Sequence, residues 1–213
     1  MAAYVRFIQA GLGLTAAAVA SLSGLLYAAQ KEIIYPRNIP AGSRTEVPRP
    51  KDEIFGEYEF SDSTEELSLR TADGEEINAF LIKPQRKRHL GPRKPSDVTV
   101  IMFHGNAGNI GHRIPIVGTL QYHVPANFLM VEYRGYGLST GTPDEKGINI
   151  DAQTALDLVR NRDDLRNSKI ILYGQSLGGA VALKLAIENQ VHGDIKAVIL
   201  ENTFLSIKKM IPT

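Results

Sequence analysis

The 213-residue chain contains no cysteine. Disulfides, thiolate nucleophiles and cysteine-based zinc sites are therefore excluded, and the redox compartment is left open. Net charge is almost missing too: 24 Lys and Arg face 23 Asp and Glu, a formal +1. So small an excess provides no bulk attraction to a polyanion, and no nucleic-acid partner is expected. There is no internal repeat. No Asn-x-Ser/Thr sequon occurs, which argues against a glycosylated luminal domain. Neither of the two glycine patterns that cradle nucleotides is present, G-x-G-x-x-G after a strand or G-x-x-x-x-G-K-[ST]. Cofactor binding at a glycine-rich turn thus has no support, and no cofactor or metal is expected.

Charge is absent locally as well. Phe7 to Gln30 carries none, between Arg6 and the pair Lys31-Glu32. As a helix, these 24 residues reach about 36 Å, enough to cross about 30 Å of hydrocarbon. The composition is small and apolar, as in membrane helices. A cleaved signal peptide, with Ala18-Val19-Ala20 as its site, and a buried core helix are the alternatives. The apolar stretch continues to Ala29, longer than a typical signal core, so an anchor is the preferred reading. The expectation is a single-pass protein of an endomembrane or the plasma membrane. The flanking charges are too balanced to orient it.

Three segments follow: residues 1–31 as the anchor, 32–52 as a linker and 53–213 as a folded domain. Pro36, Pro40, Pro48 and Pro50 among polar residues read as an extended tether. Two alternating runs, Glu65–Thr71 and Ile77–Ile82, flank Asp73-Gly74, the signature of a hairpin with a D-G turn. The basic stretch Gln85–Lys94 reads as a solvated loop, with contact to anionic headgroups as the alternative.

Thereafter apolar strands alternate with helical patterns. Val98–Phe103, Asn127–Val131, Ile170–Tyr173 and Ile195–Leu200 read as buried strands. His112–Gln121, Glu145–Arg160 and Ala180–Ile187 read as helices. The order predicts an α/β fold with right-handed parallel crossovers. The hydrophobic share of 43% is enough to fill one core.

The chemistry concentrates at Gly174-Gln-Ser-Leu-Gly178, G-x-S-x-G between a strand and a helix. That context makes Ser176 a candidate nucleophile on a strained elbow, with Gly174 and Gly178 leaving room for the turn. The helix N-terminus behind it favours developing negative charge. The loop His104-Gly-Asn-Ala-Gly-Asn109 ends the first parallel strand. An N–H of Asn106 or Ala107 can face an oxyanion there, with the N–H of Leu177 as second donor.

His104–Asn109, Tyr133–Gly137, Gly174–Gly179 and Glu201–Phe204 together resemble the alpha/beta-hydrolase superfamily, and within it the membrane-anchored Bem-type branch. The resemblance covers about residues 50–213. It implies an eight-stranded, mostly parallel sheet, a Ser–Asp–His triad, and hydrolysis of esters or thioesters with lipid or acyl-protein substrates. In the family the acid and histidine follow the nucleophile, yet only 37 residues follow Ser176. The expectation is a hydrolase fold lacking its last strands and helices, and a nearly inactive chain. His192 and His123 precede strands and fall at the wrong end of the sheet, and His89 lies in the basic loop. His104 shapes its turn, His112 opens a helix, and Glu201 reads as a possible acid or an acceptor for loop backbone. A non-catalytic, membrane-anchored interaction protein is the competing reading.

Overall fold

The computed structural model describes residues 1–52, 54–55, 58–59, 63–84 and 96–203. The basic stretch Gln85–Lys94, with His89, and the residues from Phe204 onward lie outside that set. The chain divides into two compact units, Met1–Tyr35 and Pro36–Thr213.

The first unit is helix α1 (Ala2–Ile34). Its Tyr4–Ile34 portion is long and apolar enough to cross a membrane, with a mean hydropathy of 1.6. Its outward side chains include Phe7, Leu12, Leu14, Leu22 and Leu25, all exposed.

In the second unit a short antiparallel pair, β1 (Ile54–Phe55) and β2 (Tyr58–Glu59), precedes the main sheet. That sheet contains β3 (Thr64–Arg70), β4 (Glu76–Ile82), β5 (Val98–Phe103), β6 (Asn127–Val131), β7 (Lys169–Gln175) and β8 (Ile195–Glu201). Their spatial order is β3-β4-β6-β5-β7-β8. β3 and β4 form the expected hairpin, with Arg70 opposite Glu76 and Gly74 at φ 94°. β4 runs antiparallel to β6, and β6, β5, β7 and β8 are mutually parallel. The described residues thus supply six strands of the mixed sheet.

Alternation along the strands sends successive side chains to opposite faces. Phe80, Ile82, Val100, Met102, Phe128 and Met130 form one core layer with Ile110, Ile114 and Val117, which lead into and lie on α2 (Ile114–His123). The intervening residues Ile101, Phe103, Leu129, Val131 and Leu172 are fully buried on the other face. α3 (Glu145–Asn161) and α4 (Leu177–Glu188) pack against the sheet there, α3 through Ile148, Ala152, Ala155, Leu156 and Val159. Each large side chain so buried contributes roughly 1.5–3 kcal/mol. α3 begins at Asp144, whose carboxylate accepts from the Gly147 N–H at 2.8 Å and caps the helix.

Residues 36–52, read from composition as part of an extended tether, are instead hydrogen-bonded into this unit. The Gly108 N–H donates to Ile39 O at 2.7 Å. The Asn109 amide donates to Ser43 O at 3.0 Å and Glu46 O at 2.9 Å. Arg44 donates to Ser139 O at 3.2 Å. Proline removes one backbone donor but leaves its neighbours free to make tertiary hydrogen bonds, which composition cannot reveal.

Candidate active site

Parallel strands β5, β7 and β8 end on the same edge of the sheet, where an α/β fold places its ligand crevice. β7 passes into α4 through a single residue, Ser176. It takes φ 51° and ψ −113°, left-handed backbone that a non-glycine residue adopts only under local constraint. The constraint is visible. The Ser176 N–H donates to Glu201 O at 2.8 Å, and its carbonyl accepts from Thr203 Oγ1 at 3.0 Å and from the Gly179 N–H at 3.0 Å. The flanking glycines are steric necessities. A Cβ on Gly174 would strike the Gly178 backbone, and one on Gly178 would strike Phe103 O at the end of β5.

Ser176 is half-buried, and Leu177 is the first residue of α4. The loop His104–Asn109 lies against this elbow: a Cβ on Gly105 would sit 3.6 Å from the Ser176 Cβ. Asn106 is exposed and Ala107 half-buried. The loop carbonyls are tied back one by one. His104 O accepts from Tyr133 Oη at 2.9 Å, and Gly105 O lies 2.7 Å from His104 Nδ1. Asn106 O accepts from Tyr136 Oη at 2.9 Å, and Ala107 O from Arg113 Nη2 at 2.8 Å. A carbonyl can only accept, so Nδ1 of His104 carries a proton. Its Nε2 faces Glu132 Oε1 at 3.0 Å without the alignment of a hydrogen bond, both side chains being 1% exposed. Burial pushes the Tyr133 phenol well above its ordinary pKa, so it stays a donor.

The segment after β6 braces that loop. Glu132 Oε2 accepts from the Ile110 N–H at 3.1 Å. Gly137, at φ 44°, lies where a side chain would collide with the same carboxylate. Arg134 is buried between Asp151, at 2.8 Å, and Asp73 of the hairpin turn, at 2.7 Å. Hydrogen bonds from Arg134 and Thr71 hold the Asp73 carboxyl far below the ordinary range. Burial pushes the Asp151 carboxyl the other way, against the pull of Arg134.

Arg113 spans both parts of the site. Besides Ala107 O, its Nε donates to Gln175 Oε1 at 3.1 Å, the residue before Ser176. Burial draws its pKa down, and the Glu132 charge opposes that. Glu201 accepts from Tyr173 Oη, whose pKa is raised by burial and by that contact.

Among the described residues no side chain hydrogen-bonds Ser176 Oγ. His112 spends Nδ1 on the Asn109 N–H in a capping box, and its pKa is lowered by burial and by Arg113. His123 ends α2, and His192 sits just before β8, at the opposite end of the sheet from Ser176. No group of residues suited to a metal ion occurs among the described residues.

Comparison with known proteins bears on this geometry. The alpha/beta hydrolase fold family matches residues 98–212, more than half of the chain. The chain belongs to the alpha/beta-hydrolase family. Protein bem46 of Schizosaccharomyces pombe is 44% identical over 190 residues, 89% of this chain and 58% of that protein. The alpha/beta hydrolase domain-containing protein WAV2 of Arabidopsis thaliana is 36% identical, over 99% of this chain and 62% of that one. The uncharacterised membrane protein YNL320W of Saccharomyces cerevisiae is 35% identical, over 97% and 64%. The chain thus spans about six-tenths of the length of these relatives. Among solved structures, an alpha-beta hydrolase from Vibrio vulnificus superposes with a TM-score of 0.66 at 21% identity, over 85% of this chain and 59% of that one. An esterase from Pyrococcus furiosus does so at 0.58 and 20%, over 78% and 59%. These structural likenesses show the fold.

The sequence reading named Ser176, Leu177, Asn106 and Ala107. The structure brings the loop carrying the last two against the elbow carrying the first two. It did not name Arg113, Tyr136 or Thr203. Tyr136 and Thr203 lie inside motif pieces already noticed, but nothing in their local pattern says which carbonyl each reaches.

Proposed function

We propose that this chain carries the nucleophile and oxyanion side of a membrane-anchored serine hydrolase, acting on carboxylic esters or thioesters of lipids or acyl-proteins. The observation that supports it is the left-handed Ser176 at the start of α4, pinned by Glu201 and Thr203. In the proposed reaction Ser176 Oγ attacks the acyl carbon and the carbonyl oxygen becomes an oxyanion. The N–H groups of Leu177 and of Asn106 or Ala107 stabilise it. Ser176 Oγ gives its proton to water as it attacks; collapse breaks the bond to the alkoxide or thiolate, which takes up a proton from water, and a second water then releases the acid from the acyl-enzyme and returns the proton to Ser176. No described histidine hydrogen-bonds Ser176 Oγ. A hydroxyl without a base is a weak nucleophile, and loss of triad members slows such enzymes by about 10⁴- to 10⁶-fold. The proposal therefore assigns this chain slow acylation. α1 serves as a single-pass anchor in an endomembrane or the plasma membrane, placing the site near lipid or acylated substrates.

Prolonged exposure to a fluorophosphonate, with peptide mapping, tests this. One adduct on Ser176, lost in Ser176→Ala, supports it. An adduct that persists in the alanine variant overturns it. The same lack of a partnered histidine favours a second reading, a membrane-anchored interaction protein that keeps the fold. On that reading Ser176→Ala leaves the cellular phenotype unchanged, and a lost phenotype excludes it.

A further inference from the structure

The carbonyls on either side of Ala107 are held by different side chains. Asn106 O accepts from Tyr136 Oη at 2.9 Å, and Ala107 O accepts from Arg113 Nη2 at 2.8 Å. A trans peptide is planar, and its C=O and N–H point to opposite sides. Holding Asn106 O therefore aims the N–H of Ala107, because the two belong to the same peptide. The next peptide is pinned at both ends, Ala107 O by Arg113 and the Gly108 N–H by Ile39 O at 2.7 Å. The Ala107 N–H itself has no acceptor among the described residues. Arg113 carries the constraint across to the elbow through Gln175 Oε1 at 3.1 Å. Tyr136 is fully buried, so its hydroxyl is not shared with bulk water.

We propose that Tyr136 and Arg113 are the positioning residues of the oxyanion hole. Tyr136 sets the direction of the Ala107 N–H, which is the second donor alongside Leu177, and Arg113 locks its distance to Ser176 through Gln175. This rests on the reading of Ser176 as nucleophile. Neither side chain touches the substrate; each acts through the peptide it holds. Electrostatic stabilisation depends on donors fixed before charge develops, so releasing either carbonyl lets the loop turn its donor away.

The test uses the full chain in detergent micelles and follows the fluorophosphonate adduct at Ser176 over a range of probe concentrations. Tyr136→Phe deletes only the hydroxyl. It is expected to lower the saturating rate by about tenfold or more, the scale of a lost oxyanion donor, with half-saturation unchanged. Arg113→Gln is expected to do the same, and Arg113→Lys to restore part of the rate. Thr99→Val removes a buried hydroxyl at the far end of β5, bonded to Ser168 Oγ at 2.7 Å, and serves as the stability control. It should leave the rate near wild type. A Tyr136→Phe rate no lower than that of Thr99→Val overturns the proposal. If the wild-type chain forms no adduct, the nucleophile reading fails by itself, and the Ala107 amide resonance in ¹⁵N-alanine-labelled protein decides. A resonance displaced in Tyr136→Phe but not in Thr99→Val upholds the grip on this peptide, and one unmoved in both overturns it.

Discussion

Thr203 Oγ1 donates to the carbonyl oxygen of Ser176 at 3.0 Å, across the ends of two neighbouring strands. The elbow is therefore held from β8 as well as from its own turn. Thr203→Val should lose about 1 kcal/mol, the net contribution of one hydrogen bond. A chain of this length would then melt about 2–4 °C lower. Thr203→Ser should melt near wild type, because it keeps the hydroxyl. Scanning calorimetry of the three proteins checks this, and equal melting of the valine and wild-type chains would refute it.

The glycines of the elbow should differ sharply from the glycine of the facing loop. Gly178→Ala pushes a methyl into Phe103 O, which is backbone and cannot step aside. A loss of about 3 kcal/mol or more is expected, the upper range for overpacking. Gly105→Ala meets its neighbours at 3.6 Å and beyond, ordinary contact distances. It should fold nearly as well as wild type while crowding Ser176. Urea unfolding of both variants checks the contrast.

The Arg134 network should be felt in acid. The folded-state pKa of Asp73 is depressed by its hydrogen bonds from Arg134 and Thr71. The stability it supplies is present above the unfolded carboxylate pKa, about 3.9, and is lost as pH falls through the folded value. Asp73→Asn should therefore melt lower than wild type at pH 7, and the gap should narrow, without closing, when the pH is lowered to 3. Asp151 is fully buried against Arg134. Asp151→Asn should lower stability by about 3 kcal/mol, as expected when one partner of a buried ion pair is removed. Thermal melts at pH 7 and pH 3 check both.

Membrane attachment should depend on the apolar face of α1. Leu14 and Leu22 lie well inside the Tyr4–Ile34 helix. An arginine near the middle of a span disfavours insertion by roughly 2.5–3.5 kcal/mol. The double change Leu14→Arg, Leu22→Arg should move the protein from the carbonate-resistant pellet to the supernatant. Retention in the pellet would count against a spanning helix.

What was legible in the sequence was local. Period-two and period-3.6 patterning marked the hairpin, the buried strands and α3, and Asp73-Gly74 announced its turn. G-x-S-x-G between strand and helix located Ser176, because only a few residue types survive that backbone. The segment 36–52 was not legible, since its prolines describe what it cannot form rather than what it touches. Nor was the pairing of His104 with Glu132, two buried side chains from the ends of neighbouring strands.

By itself, then, the sequence determined the order of elements, the strained position of Ser176 and the apolar helix α1. Each depends on residues within a few positions of one another, whose spacing sets backbone geometry directly. Only the tertiary structure decided that Tyr136, 30 residues from Asn106, holds its carbonyl, and that Arg113 reaches Gln175, 62 residues away. Such bonds exist because parallel crossovers bring strand ends together, and which donor meets which acceptor there depends on packing across the whole sheet.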